Sequence, residues 1–61
     1  MERTCLLAEP RNDGSGVYES TKPITCRNVG QWADGRMVWQ DDEGEQYMLF
    51  RVNGKYYFVH A

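Results

Sequence analysis

The sequence lacks most of the patterns that mark membrane, secreted and nucleic-acid-binding proteins. No apolar run approaches the roughly 20 residues that a membrane-spanning helix needs. The N-terminal apolar run, Cys5–Ala8, is too short for the core of a signal peptide. Acidic residues outnumber basic ones by 9 to 7, whereas a dedicated nucleic-acid-binding domain usually has a basic surplus. We therefore expect a cytoplasmic protein that makes no contact with membranes.

Side chains suited to catalysis or metal binding are also scarce. His60 is the only histidine, and the sequence places neither a nucleophile nor an orienting carboxylate beside it. Cys5 and Cys26 show no Cys-x-x-Cys spacing, so a metal site is not indicated. We expect no catalytic residue, no metal site and no cofactor, and hence no enzyme. The two cysteines are predicted to be small buried thiols on neighbouring strands, with a disulfide between them as the alternative.

Two clusters have the composition of ligand-binding loops but lack the required surroundings. The glycines Gly14 and Gly16 would need a helix after them to form a phosphate-binding loop, and a strand pattern follows instead. The acidic residues of Asp41–Glu45 are contiguous, whereas calcium loops alternate ligands with spacers. The first cluster is predicted to be a mobile loop. The second is predicted to be a solvated hairpin tip, with a landing patch for a basic partner as the alternative.

The positive signals are those of one small β domain spanning residues 1–61. No segment repeats apolar residues at helical spacing, so no long helix is expected. Short strands are predicted at 3–9, 17–20 and 24–29, with Lys22-Pro23 interrupting the chain between the second and third. Residues 30–35 are predicted to be a connection with at most one helical turn, in which Trp32 covers the core.

The C-terminal part, about 35–60, is predicted to be a three-stranded meander with strands at 35–40, 45–52 and 55–60. Asn53-Gly54 favours a two-residue type I′ turn. Gly44 favours a type I turn followed by a bulge, which would pair Trp39 with Tyr47. A one-residue slip at this turn is the alternative, and it would move Met37 and Trp39 to the opposite face.

Alternation along these strands divides the meander into two faces, and both are apolar. The first is predicted to be the core face, with burial that dominates stability, and it contains Val38, Met48, Phe50, Val52, Tyr57 and Val59. The second contains Met37, Trp39, Tyr47, Leu49, Arg51, Tyr56, Phe58 and His60. A half-exposed antiparallel sheet normally has one polar face. The second face should therefore be covered by the N-terminal strands, by a protein partner or second copy, or by single-stranded nucleic acid.

The predicted fold is all-β, with four to five short antiparallel strands in a small curled sheet or partly open barrel. This layout resembles small SH3-like or OB-like barrels, in that several short strands end in a tight hairpin. The expected function is a non-enzymatic protein-binding or self-associating module, of a size typical of phage or mobile-element accessory proteins. Single-stranded nucleic-acid binding is the alternative. The candidate partner-binding residues are Met37, Trp39, Tyr47, Arg51, Tyr56 and Phe58, because Trp, Tyr and Arg commonly anchor interfaces.

Overall fold

A computed structural model of the chain describes all 61 residues, which form five strands that close into a barrel. The strands are β1 (Glu2–Pro10), β2 (Tyr18–Gln31), β3 (Met37–Gln40), β4 (Gln46–Val52) and β5 (Lys55–His60). Sequential neighbours pair antiparallel, and a short parallel pairing of β1 with β5 closes the ring. The predicted all-β class is confirmed. The chain forms no helix, so none is long and apolar enough to cross a membrane.

The second strand is continuous through Pro23, so the prediction of two separate strands with a break at Lys22-Pro23 was wrong. Pro23 pairs with Leu6 of β1, next to an irregularity between Leu6 and Ala8. The pairing of β2 with β3 begins only at Arg27, so no strand lies beside Pro23 on its other side. A proline that cannot donate to a ladder is tolerated at such an edge.

The predicted hairpin turns are present. Asn53 and Gly54 have φ values of 51° and 82°, as a type I′ turn requires. Gly44 has a φ of 85°, and its N–H donates to the carbonyl of Asp41 at 3.2 Å. Trp39 pairs with Tyr47, which confirms the predicted register, although the ladder between β3 and β4 contains only one further pair.

The connection between β2 and β3 contains a tight turn rather than a helical turn. The N–H of Gly35 donates to the carbonyl of Trp32 at 2.9 Å, and the N–H of Trp32 donates to the carbonyl of Arg36 at 2.7 Å. The same two hydrogen bonds occur at Asp41–Glu45, so the two turns share one geometry. Trp32 lines a shallow depression on the outside of the barrel with Met48.

The core lies on the face opposite to the one predicted. The buried cluster consists of Leu7, Cys26, Trp39, Tyr47 and Phe58. Of the predicted core face, only Val38 is buried; Phe50 and Val52 are 41% and 54% exposed. The sheet curls around its aromatic face, and the side chains of that face fill the narrow interior of the barrel. Because both faces are apolar, the alternation pattern did not reveal which face becomes concave.

Candidate interaction surfaces

Most of the predicted core face lies on the outside of the barrel, where it forms an exposed apolar surface together with residues of β1 and β2. We call this surface the outer apolar face. Alternation places its side chains on the outside of four strands, and they line a depression of about 390 Å³. Its members are Ala8, Tyr18, Phe50, Val52, Tyr57 and Val59. Tyr18 is 54% exposed, which adds a large side chain from β2 to those of β4 and β5. Contiguous exposed apolar surface of this kind commonly marks an interaction site.

The six predicted partner-binding residues do not form one surface. Trp39, Tyr47 and Phe58 are buried inside the barrel. The centroid of the Phe58 ring lies 5.7 Å from that of Trp39 and 6.0 Å from that of Tyr47. Met37, Arg51 and Tyr56 are exposed. Leu7 of β1 and Cys26 of β2 pack with these buried aromatic side chains in one cluster. A partner of the folded barrel can therefore reach only the three exposed members.

Three basic side chains gather around Tyr56 at one end of the barrel, and we call this group the basic mouth. The guanidinium carbon of Arg3 lies 4.1 Å from the centroid of the Tyr56 ring, and that of Arg51 lies 5.8 Å away. Lys55 lines the adjoining groove of about 400 Å³ with Arg3 and Tyr56. The two ion pairs between arginine and aspartate, and the contact of His60 with Glu9, involve none of these three residues, so the basic mouth forms no ion pair within the chain.

At the opposite end, Asp41 holds the hairpin tip in place. Its Oδ1 accepts hydrogen bonds from the N–H groups of Glu43 and Glu45 at 2.9 and 3.0 Å, and its Oδ2 accepts one from the Tyr47 hydroxyl at 2.7 Å. The Tyr47 bond is the main reason that the pKa of Asp41 is lowered. Burial, followed by the bond to Asp41, raises the pKa of Tyr47. This arrangement favours a neutral phenol and an ionised carboxylate, which suits a structural clamp.

A polar cleft of about 840 Å³ opens beside this clamp. His60 lies 3.8 Å from Glu9, measured from Nε2 to Oε1, and its ring centroid lies 4.7 Å from that of Tyr47. The cleft is also lined by the acidic side chains of Asp41, Asp42, Glu43 and Glu45. No three side chains of the His, Cys, Asp and Glu types are arranged to hold a metal ion.

The two cysteines are free thiols on the neighbouring strands β1 and β2, as predicted, but only Cys26 is buried and Cys5 is half-buried. Cys26 is buried in the core cluster, and Cys5 packs against that cluster. Burial is the largest cause that raises the pKa of Cys26 to about 11, and the charge of Asp41 adds to it. Because the thiolate is the reactive form, Cys26 is suited to packing rather than to nucleophilic chemistry.

No family model, curated protein or solved structure matches this chain. Sequence reasoning did not single out Tyr18 or Arg3 as surface residues. Each joins its neighbours only through the packing of β1 and β2 around the meander, and no local sequence signal specifies that packing.

Proposed function

We propose that this protein is a non-enzymatic module that binds a protein partner, or a second copy of itself, through the outer apolar face. The observation that carries the proposal is the exposure of large apolar side chains, including Tyr18, Phe50 and Val52, on one contiguous surface. Fully burying one large apolar side chain contributes about 1.5–3 kcal/mol. Covering the exposed parts of several such side chains would provide a substantial driving force for association.

The shape and chemistry of the surface favour a protein over a small molecule. Small-molecule sites are usually enclosed and carry a few converging polar groups. The depression in the outer apolar face is open, and Arg51 at its edge is the only charged residue that lines it. The two free thiols are the state expected in a reducing compartment, which supports a cytoplasmic location as part of the proposal.

The proposal is tested with a double variant, Tyr18→Ser with Phe50→Ser. Its matched control is Val29→Ser with Met37→Ser, which removes two exposed apolar side chains from other parts of the surface. Sedimentation velocity would measure self-association, and affinity capture with mass spectrometry would identify partners. The double variant should lose the association or the partner that the wild type and the control retain. A folded double variant that associates like the wild type and captures the same partners would contradict the proposal.

The alternative is single-stranded nucleic-acid binding at the basic mouth, which is favoured by the three cationic groups around Tyr56. The support is weaker, because Trp39, Tyr47 and Phe58 are buried and Arg3 already lies over the Tyr56 ring. Titration of a labelled oligonucleotide at low salt tests this alternative. Binding that disappears in Arg51→Glu would support it, and no binding by the wild type would exclude it.

A further inference from the structure

The two ends of β4 lie beside groups of opposite charge that form no ion pairs within the chain, although Lys22 lines the same cleft as the acidic tip. Strand β4 begins next to the acidic tip Asp42-Glu43 and ends next to the basic mouth. Its 7 residues separate the two by about 20 Å, at roughly 3.3 Å per residue. Asp42 and Glu43 are exposed. Neither they nor the basic residues of the mouth form an ion pair.

The acidic tip is held in a defined shape. Two backbone N–H groups of the turn donate to Asp41, and the Tyr47 hydroxyl anchors the same carboxylate to the barrel. Asp41 is thus occupied by contacts within the chain, whereas Asp42 and Glu43 remain free to meet cations. A pre-organised tip loses little conformational entropy when it binds.

The basic mouth offers a site of complementary charge. Its groove of about 400 Å³ lies between Arg3 and Lys55, with Tyr56 as an aromatic wall. The guanidinium carbon of Arg51 lies 5.8 Å from the centroid of the same ring. Arginine side chains in this setting can bind carboxylates through paired hydrogen bonds.

We propose that the Asp42-Glu43 tip of one copy binds in the basic mouth of a second copy, so that the barrels associate head to tail. The occupant is a second copy because the same chain carries both charged groups, at opposite ends of β4 and without ion pairs inside the chain. Such a contact joins two different surfaces, so repetition produces an open chain or a ring rather than a closed dimer. Only Arg51 of the basic mouth borders the outer apolar face, and the contact does not depend on the function proposed for that face.

The contact should be weak and sensitive to salt. Exposed charges are screened beyond about 8 Å at physiological ionic strength. Complementary charge mainly raises the rate of encounter and defines the orientation of the partners. Association should therefore be visible at high protein concentration in low salt, and should decrease steeply as salt is added.

The experiment uses two charge-reversed variants and sedimentation velocity in low and high salt. The tip variant is Asp42→Lys with Glu43→Lys, and the mouth variant is Arg51→Glu with Lys55→Glu. Each alone should associate at least about tenfold more weakly than the wild type in low salt. An equimolar mixture of the two should associate again, because the reversed tip matches the reversed mouth and the two unaltered ends match each other.

The matched control is Asp13→Lys with Glu19→Lys, which changes net charge as the tip variant does but leaves Asp42, Glu43 and the residues of the basic mouth unchanged. It should associate like the wild type. A wild type that stays monomeric in low salt, or a mixture that associates no better than its components, would overturn the proposal. The double variant Tyr18→Ser with Phe50→Ser should keep the salt-sensitive association. The proposal for the outer apolar face and the proposal of a head-to-tail contact can therefore be rejected separately.

Discussion

The hydroxyl group of Tyr47 donates a 2.7 Å hydrogen bond to Oδ2 of Asp41, and this bond joins the barrel core to the hairpin tip. It is the largest cause that lowers the pKa of Asp41, and it adds to the effect of burial in raising the pKa of Tyr47. The stability from Asp41 is complete above its ordinary pKa of 3.8 and is lost as pH falls below that value. The stability from Tyr47 is complete below its ordinary pKa of 10.0 and is lost as pH rises above that value.

Tyr47→Phe should therefore reduce stability by about 1 kcal/mol between these two pH values, because it removes the hydrogen bond and keeps the buried ring. The difference between wild type and variant should shrink in acid and in alkali. Urea unfolding at a series of pH values measures it. Tyr18→Phe is the matched control, because Tyr18 is exposed, and it should leave stability unchanged at every pH. A constant difference across the whole pH range would contradict the assigned bond.

Phe58 belongs to the observed core, whereas Phe50 belongs to the predicted one. Phe58 is completely buried, whereas Phe50 is 41% exposed. Phe58→Ala should cost about 3–5 kcal/mol, enough to unfold much of so small a domain. Phe50→Ala should cost clearly less, because part of its side chain already contacts water. Thermal and urea unfolding of the two variants compare them directly, and equal losses would mean that the outer apolar face is part of the stabilising core.

The sequence was sufficient for the local structure of the meander and insufficient for its curvature. Asn53-Gly54 and Gly44 specify their turns through positive φ angles, so strand pairing followed from residues close in sequence. Which face becomes concave depends on how β1 and β2 close the ring, and that involves contacts between distant residues. With Phe50 on one face and Phe58 on the other, hydrophobicity alone did not distinguish inside from outside.

The same limit applies to the candidate surfaces. Aromatic and arginine residues were expected to define one partner-binding face, and closure of the barrel divided that face. Trp39 lies deep inside, whereas Tyr56 lies near the end of the barrel, where Arg3 from β1 can reach it. The contact between Arg3 and Tyr56 joins residues 53 positions apart (56 − 3), and no local pattern predicts it.

Two glycines offer a sharp test of the type I′ turn. Gly54 has a φ of 82°, whereas Gly30 lies in β2 without a positive φ, and a Cβ at either position would contact nothing within 4 Å. Gly54→Ala should cost about 1–2 kcal/mol, because the left-handed conformation is strained for an L-residue. Gly30→Ala should be neutral or slightly stabilising. Urea unfolding compares the two variants, and an equal effect would exclude backbone strain as the cause.

The parallel seam between β1 and β5 contains only two ladder pairs, Leu6 with Tyr57 and Leu7 with Phe58. A side-chain contact lies beyond each end of it: Arg3 with Tyr56 at one end, and Glu9 with His60 at the other. Arg3→Met keeps most of the apolar stem and removes the cation, so it should weaken the seam by about 0.5–1 kcal/mol.

Hydrogen exchange should locate this loss at the seam. Exchange of the amides of β1 near Leu7 should accelerate severalfold in Arg3→Met, while the amides of the β4–β5 hairpin, which has six ladder pairs, should be less affected. Arg51→Met is the matched control, because its guanidinium lies farther from the Tyr56 ring and belongs to β4. If both variants accelerate exchange equally throughout the barrel, Arg3 contributes to global stability and does not specifically hold the seam closed.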